Sequence, residues 1–326
     1  MNKFALLLIL SLAIFACQTT AQKDKPNNKK ELVYGLAIHG GAGNLVKGKI
    51  SDSLEQAYLA KLKEATEVGY AVLESNGSSL DAVVAAIEIL ENSPLFNAGK
   101  GAVFTHEGKN ELDASIMNGS NLQAGAVAGV SRIKNPIKAA RAVMEKSKHV
   151  MLSGKGAEEF AASVGLDTVS PTYFFTQKRF ESLQRAISAE KHGTVGVVCL
   201  DKKGNLAAGT STGGMTNKKF GRIGDSPIIG AGTYADENCA VSCTGHGEYF
   251  IRYAVAYDVA AQIKYAQKSL KQATEEIINT KLKNAGGSGG LIAMDKDGNI
   301  SMPFNTSGMF RAFKTNQKET QAFIFD

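Results

Sequence analysis

Two apolar runs joined by a glycine turn constrain this chain more than any other feature. Residues 195–201 read VGVVCLD and residues 206–212 read LAAGTST, with Lys202-Lys203-Gly204 between Asp201 and Asn205. That spacing fits a type I turn with the glycine in the left-handed position. A three-residue loop pairs Asp201 with Asn205, and the register then sets Thr194 opposite Thr212. A two- or four-residue loop would shift the register and break that pairing. The same D-x-x-G-N pattern recurs from Asp295 to Asn299, between LIAM and ISM. The chain must therefore hold antiparallel sheet in its C-terminal half.

Other segments alternate in type. VYGLAI (33–38) reads as a strand ended by HGGAG, and Leu54, Tyr58, Leu62, Ala65, Val68 and Val72 recur at helical spacing over 53–75. Ser53 and Gln56 suit a capping box, and Asn76-Gly77 a stop. Further helices are expected at 79–91, 136–147, 154–163, 177–190, 248–266 and 269–283. Strands are expected near 101–105, 112–117, 124–130, 228–234 and 239–243. Strands and paired helices in both halves imply sheets packed between helical layers. At about 150 residues per domain the length allows two domains or one large one, and no repeat of fixed period is present.

The formal charge of +6 would suit a nucleic-acid or membrane partner only if it lay on the folded body. It does not. Lys3, Lys23, Lys25, Lys29 and Lys30 against Asp24 put +4 on residues 1–30 and leave +2 on the rest. Lys3 precedes a twelve-residue apolar stretch, Phe4 to Phe15, too short for a span of about 20 residues. Basic start, short apolar core and the small Ala16 make a secretory signal. IFAC (14–17) resembles a bacterial lipoprotein signal cut before Cys17, with lipid on its thiol; the alternative is an ordinary signal in which Cys17 is incidental. Residues 17–31 read as a tether and residues 32–326 as a single domain. The expected location is a bacterial cell envelope, facing the periplasm, with membrane contact only through the lipid and no nucleic-acid partner.

Three further cysteines, Cys199, Cys239 and Cys243, form an odd set, which argues against a disulfide framework. Cys239, Cys243 and His246 are residue types that bind metal, but CAVSC is strand-like, and i and i+4 lie about 13 Å apart there. Buried structural thiols are the expectation.

The candidate site gathers around the hairpin. Opposed Thr194 and Thr212 have Cβ atoms about 5 Å apart, which suits either a structural pair or a functional one. Glycines flank both: His192-Gly193 precedes Thr194, and Gly213-Gly214 follows Thr212. In GRIGDSP, Arg222 suits a carboxylate and Asp225 an ammonium, the two charged groups of an amino acid; an isolated R-x-x-D is equally a surface ion pair. Thr244-Gly245-His246-Gly247 lies between a strand and a helix, where backbone N–H groups can hold an anion.

With these residues in place, the chain resembles plant-type asparaginases/isoaspartyl peptidases of the N-terminal-nucleophile hydrolase superfamily. The matching segments are AIHGGAG (37–43), FNAGKGAVFT (96–105), ELDASIM (111–117), HGTVGVV (192–198), AAGTSTGG (207–214), GRIGDSP (221–227), GAGTYA (230–235) and SCTGHGE (242–248), spanning residues 36–313. The resemblance implies an α+β fold, a four-layer αββα sandwich. It implies self-cleavage between Gly193 and Thr194, giving an α chain to 193 and a β chain 194–326. Thr194 is then the nucleophile, activated by its own freed α-amine, whose pKa of about 7.7–8.0 suits a base at neutral pH. Thr212 assists it, Thr244 and the Gly245 N–H form the oxyanion hole, and Asn97 lies near the nucleophile. Arg222, Ile223, Gly224, Asp225, His246 and Gly247 contact substrate together with Thr244 and Gly245. The implied substrates are asparagine and β-aspartyl dipeptides. No cofactor is needed for the chemistry, a structural sodium is implied on backbone carbonyls of Leu90 to Lys100, and the assembly is a dimer of αβ units.

Rival readings are weaker. Two G-x-S-x-G matches, Gly209 to Gly213 and Gly286 to Gly290, lack the strand–turn–helix order of a nucleophile elbow. HGGAGNLV lacks the third glycine of a dinucleotide fingerprint. A glycosylasparaginase, or a non-catalytic lipid-anchored amino-acid-binding protein, would share much of the pattern.

Overall fold

The hairpin forms in the register that its turn dictates. In a computed structural model, which describes residues 32–185 and 193–325, strand β5 (Val195–Leu200) pairs with β6 (Leu206–Thr212), Val195 facing Ser211 and Leu200 facing Leu206. Asp201 and Asn205 close the loop, and Gly204 takes φ +81°.

Around the hairpin the other strands assemble as β1 (Gly35–Gly43), β2 (Leu112–Asn118), β3 (Ala124–Val130), β4 (Met151–Ser153), β11 (Gly308–Thr315) and β12 (Lys318–Phe323). Among the described residues these form an eight-stranded sheet in the order β12-β11-β1-β5-β6-β2-β3-β4, antiparallel except for the β3–β4 pair. A second sheet runs β10-β9-β8-β7, from β7 (Thr233–Ala235), β8 (Cys239–Gly245), β9 (Gly289–Asp295) and β10 (Ile300–Ser301). Helices α1 (Asp52–Glu74), α2 (Ser79–Glu91) and α3 (Pro136–Lys146) pack on the large sheet. Helices α7 (Val255–Ala266) and α8 (Leu270–Glu276) pack on the small one. The fold is thus α+β.

Three apolar clusters explain why the central strands read as unbroken apolar runs. Val195, Val197 and Cys199 of β5 join Leu62, Val83 and Ile87 from α1 and α2. Their neighbours Val198 and Leu200 point the other way, to Ala240, Ile292 and Met294 of the small sheet. Val241, Cys243 and Leu291 then pack with Val255, Val259 and Ala273. A strand buried on both faces has no polar face to show. Full burial of one such aliphatic side chain contributes roughly 1.5–3 kcal/mol. Cys199, Cys239 and Cys243 are free, buried thiols in this packing, as expected, and burial raises the pKa of each.

Several boundaries differ from expectation. β1 runs through HGGAG instead of ending there, because Gly41 at φ +113° absorbs a register shift against β11. Ser51, not Ser53, caps α1 by accepting from the Leu54 amide. A capping box lies one helix later, at Ser78 and Asp81, and another opens α8, at Ser269 and Gln272. No strand forms at 101–105, where a 3₁₀ turn, Gly99–Gly101, is followed by irregular chain. The helix expected over 248–266 is broken into α6 (Gly247–Arg252) and α7, with Ala254 left-handed at φ +46°. A π-helical stretch, Ile277–Leu282, continues α8. α4 (Gly154–Ser163) matches its expected span, and α5 (Gln177–Arg185) matches the start of its own; the rest of 177–190 lies outside the described residues.

Candidate active site

The open end of the hairpin brings the two threonines together. Thr194 Oγ1 donates to Thr212 Oγ1 at 3.2 Å, and both side chains are buried. Thr212 Oγ1 also donates to the Gly193 carbonyl oxygen at 2.9 Å and accepts from the Gly214 amide at 3.0 Å. A hydroxyl carries one proton, so its donation to Gly193 leaves its lone pairs facing Thr194 and Gly214.

Asn97 closes the same carbonyl from a second side. Its Nδ2 lies 2.6 Å from the Gly193 oxygen and 2.7 Å from the Gly214 oxygen, while its Oδ1 accepts from the Val103 amide at 2.9 Å. The amide of Gly213 bonds the Asn97 carbonyl, tying this loop to the end of β6. A carbonyl held by two donors is polarised towards nucleophilic attack.

Behind Thr194 runs a polar chain between the two sheets that sequence reasoning missed. The Thr194 carbonyl lies 3.1 Å from His39 Nδ1, and His39 Nε2 lies 2.9 Å from Ser242 Oγ. Ser242 meets Thr210 at 2.7 Å, Thr210 meets Thr233 at 2.5 Å, and Thr233 meets Ser115 at 2.8 Å. Burial pulls the His39 pKa down to about 3, so the ring is neutral at pH 7. A carbonyl can only accept, which puts the ring proton on Nδ1. Ser242 then donates to Nε2, Thr210 to Ser242 and Thr233 to Thr210. A Cβ at Gly196 would collide with Ser242 Oγ and His39 Nε2, so glycine is required where this chain crosses β5. His39 stands in AIHGGAG, where a lone histidine in an apolar strand carries no sequence signal of this contact.

Thr244 and Gly245 end β8. Thr244 is fully buried, and its Oγ1 accepts from the Ala42 amide at 3.2 Å. The His246 amide bonds Ser288 O, and the Cys243 amide, on the opposite side, bonds Gly232 O. Alternation along the strand directs the Gly245 N–H away from β9, like that of Cys243. The His246 N–H is taken by Ser288 O, which leaves the Gly245 N–H as the amide at this strand end that faces away from β9.

Arg222 and Asp225 do come together, though not as a pair with each other. A Cβ at Gly247 would approach Arg222 Nη2 to 2.8 Å and Asp225 Oδ1 to 2.9 Å, so both groups converge on bare backbone. Gly224 lies beneath the guanidinium in the same way, and the Ile223 side chain is exposed. Arg222 makes a two-pronged bond to Glu248, 2.9 Å from each nitrogen, and His246 Nε2 lies 3.3 Å from the same carboxylate. The Arg222 bonds hold the Glu248 pKa down to about 2. Asp225 is buried, its Oδ2 has no partner, and burial pushes its pKa up to about 7. Asp113, opposite Thr212 on β2, is also buried with an unpartnered Oδ2. Burial raises its pKa, against the opposing fields of Lys218 and Arg222. Glu248 ends SCTGHGE and Asp113 lies within ELDASIM, but no local pattern marks either carboxylate, or Lys218, for this site.

A cleft of about 610 Å³ opens beside Gly193, bounded by the Gly40–Gly43 backbone, Asn97, Gly245 and His246. Among the described residues no group of three or more His, Cys, Asp or Glu side chains is placed to hold a metal ion.

With this geometry in hand, comparison with known proteins is direct. The asparaginase family pattern matches residues 32–324. The isoaspartyl peptidase of Salmonella typhimurium is 51% identical over 85% of this chain and 94% of its own. The isoaspartyl peptidase/L-asparaginase of Rattus norvegicus is 42% identical over 93% and 92%. The plant-type L-asparaginase of Pyrococcus abyssi is 40% identical over 90% and 100%.

These relatives also overturn one expectation. They come from eukaryotes as well as bacteria, and nothing in them indicates export or a lipid anchor. The family match begins at residue 32, so the similarity lies in the hydrolase body. Among the described residues no helix is long and apolar enough to cross a membrane. The placement in a cell envelope through lipid on Cys17 is therefore withdrawn; Cys17, the signal and the tether lie outside the described residues. The matched length, the identity to these relatives and the threonine site make this chain a hydrolase of the asparaginase family, in its plant-type isoaspartyl peptidase/L-asparaginase group.

Proposed function

We propose that the protein cleaves itself between Gly193 and Thr194 and then hydrolyses the side-chain amide of L-asparagine and the isopeptide bond of β-aspartyl dipeptides. The observation that carries this reading is the Thr194–Thr212–Gly193 arrangement, with the hydroxyl pair at 3.2 Å and the adjoining carbonyl held by Thr212 and Asn97. In the first reaction Thr194 Oγ attacks the Gly193 carbonyl carbon, its proton passes to the Thr194 nitrogen, and the C–N bond breaks so that this nitrogen leaves as a free α-amine. The amide becomes an ester, and water hydrolyses it to a Gly193 carboxylate and a free Thr194. In the second, the new α-amine takes the Oγ proton as Oγ attacks the substrate carbonyl. The leaving amine carries that proton away, and water releases aspartate from the ester.

Thr212 orients the nucleophile. Thr244 and the Gly245 N–H receive the oxyanion, a device costing roughly 3–4 kcal/mol per donor removed in other hydrolases. Arg222 takes the substrate α-carboxylate and Asp225 its α-ammonium, where Ile223, Gly224, His246 and Gly247 border them. The unpartnered Oδ2 of Asp225 supports this role, because a buried carboxylate oxygen lacks a donor until a ligand brings one. The related proteins named isoaspartyl peptidase and L-asparaginase support the substrate classes.

The same reading includes one hydrolase domain from residue 32, laid out as helices, sheet, sheet, helices; the three apolar clusters support that layering. It also includes a dimer of αβ units and a sodium ion on the 90–100 loop. The loop suits such an ion. A Cβ at Gly101 would run into the carbonyls of Phe96 and Pro94, and one at Gly99 into that of Glu91, so neutral oxygens crowd this loop. The ion would brace the loop that carries Asn97 and takes part in no step. No observation favours glycosylated asparagine or a binding-only role. Intact-mass analysis over time, paired with ammonia release from L-asparagine, tests the reading; purified protein that stays uncut and releases no ammonia would refute it.

A further inference from the structure

One charged group in the cleft takes part in no step of the proposed reaction. Arg179 of α5 lines the cleft, and among the described residues no carboxylate does. Its Nε donates to the Gly101 carbonyl at 2.8 Å and its Nη2 to the Leu95 carbonyl at 3.2 Å. Both acceptors are neutral. A guanidinium has five N–H donors, so three remain beyond these bonds. Among the described residues it forms no ion pair, and a shielded cation without a counter-ion is costly unless a ligand supplies one. Tyr58 donates to the same Leu95 carbonyl at 3.2 Å, which fixes where the guanidinium sits.

We infer that Arg179 is a subsite for the α-carboxylate of the leaving amino acid when the scissile bond joins a β-aspartyl group to a C-terminal residue. This inference rests on the proposed function and adds to it the recognition of the leaving group. The reach is suitable. Leu95 is two residues from Asn97, whose side chain touches the Gly193 carbonyl, and two residues span at most about 7 Å. One leaving residue spans about 3.5 Å, and a hydrogen bond adds about 3 Å. An apolar wall stands beside the cation: Tyr58, Phe96 and Phe310 pack ring on ring, with centroids 4.2–6.1 Å apart, next to Leu45 and Leu95. The occupant is therefore a free-acid residue with an apolar side chain. Asparagine, which releases only ammonia, cannot use this subsite.

The test uses full-length matured protein and three substrates: β-aspartyl-leucine, the same dipeptide as its C-terminal amide, and L-asparagine. The expected result is a kcat/KM for the free acid at least tenfold above that for the amide, carried mainly by KM. In Arg179→Gln that ratio should fall towards one, and Arg179→Lys should restore part of it. A ratio near one in the unmodified protein overturns the subsite whatever the variants do, including a variant that fails to fold. If the dipeptides and asparagine are all turned over with no carboxylate preference, the subsite fails alone. If none is turned over, the functional reading fails and takes the subsite with it.

Discussion

The side-chain amide of Asn97 stands 2.6 Å from the carbonyl oxygen of Gly193, on the bond proposed to break. Negative charge gathers on that oxygen when Thr194 attacks, and among the described residues Asn97 and Thr212 are the side chains that donate to it. A donor aimed at a developing oxyanion is worth more in the transition state than in the ground state. Asn97→Ala should slow self-cleavage by about 10²–10³-fold, read as the rate at which the full-length mass gives way to two chains. Cleavage at the unmodified rate would remove Asn97 from the reaction.

The sequence made part of this site legible and hid the rest for physical reasons. The Thr194–Thr212 contact followed from loop length alone, because antiparallel pairing converts a residue count into a position across the sheet. Arg222 and Asp225 were legible as residue types suited to an amino acid, but Glu248 as the partner of Arg222 was not. That bond links a loop to a helix 26 residues later. The His39–Ser242–Thr210–Thr233 chain was invisible because each member, alone, is an ordinary strand residue; two sheets packing face to face bring them together. Boundaries failed where tertiary contacts decide them. β1 continues through HGGAG only because β11 lies alongside to pair with it.

Gly41 offers a test of how closely the backbone approaches the scissile bond. Its φ is +113°, and a Cβ there would stand 3.3 Å from both Gly193 Cα and the Thr194 nitrogen. Alanine is strained in that conformation, at a cost of roughly 1–3 kcal/mol, and pushes on the two residues that must react. Gly41→Ala should lower the melting temperature by several degrees and slow cleavage more than Gly48→Ala, whose Cβ would meet nothing within 4 Å although its φ is +81°. Equal effects from the two substitutions would show that strain, not proximity to Gly193, is responsible.

Asp225 sets an expected pH dependence. Burial holds its pKa up to about 7, so below that pH the empty site carries a neutral acid that cannot pair with a substrate ammonium. Raising the pH through 7 creates the anion, and kcat/KM for L-asparagine should rise with it. A bound ammonium favours the anion, so kcat should show this ionisation at a lower pH than kcat/KM does. Profiles of both constants from pH 5.5 to 8.5 test this: the Thr194 α-amine, with a pKa of about 7.7–8.0, adds its own rise to both, so the Asp225 ionisation is the lower step in kcat/KM that moves down in kcat, and its absence would contradict the assignment.

Glu91 makes the corresponding prediction for stability. It is fully buried at the end of α2, accepting from Ser211 Oγ at 2.7 Å, the Ile137 amide at 3.0 Å and Asn135 Nδ2 at 3.0 Å. Desolvation outweighs those bonds and raises its pKa from 4.5 to about 7. A folded pKa above the unfolded one means that the folded state holds the proton more tightly. The resulting stabilisation is complete below about pH 4.5 and is lost as the pH climbs through 7. The shift corresponds to a loss on the order of 3 kcal/mol. Glu91→Gln keeps the neutral form at every pH. Its melting temperature, relative to the unmodified side chain, should therefore improve between pH 5 and pH 8. Both proteins should carry Thr194→Ala, so that cleavage does not enter the comparison. Other groups titrate in this range, but they are common to both proteins and cancel in the difference. A difference in melting temperature that stays constant from pH 5 to 8 would mean that Glu91 is already ionised in the folded protein at pH 5, held charged by its three donors.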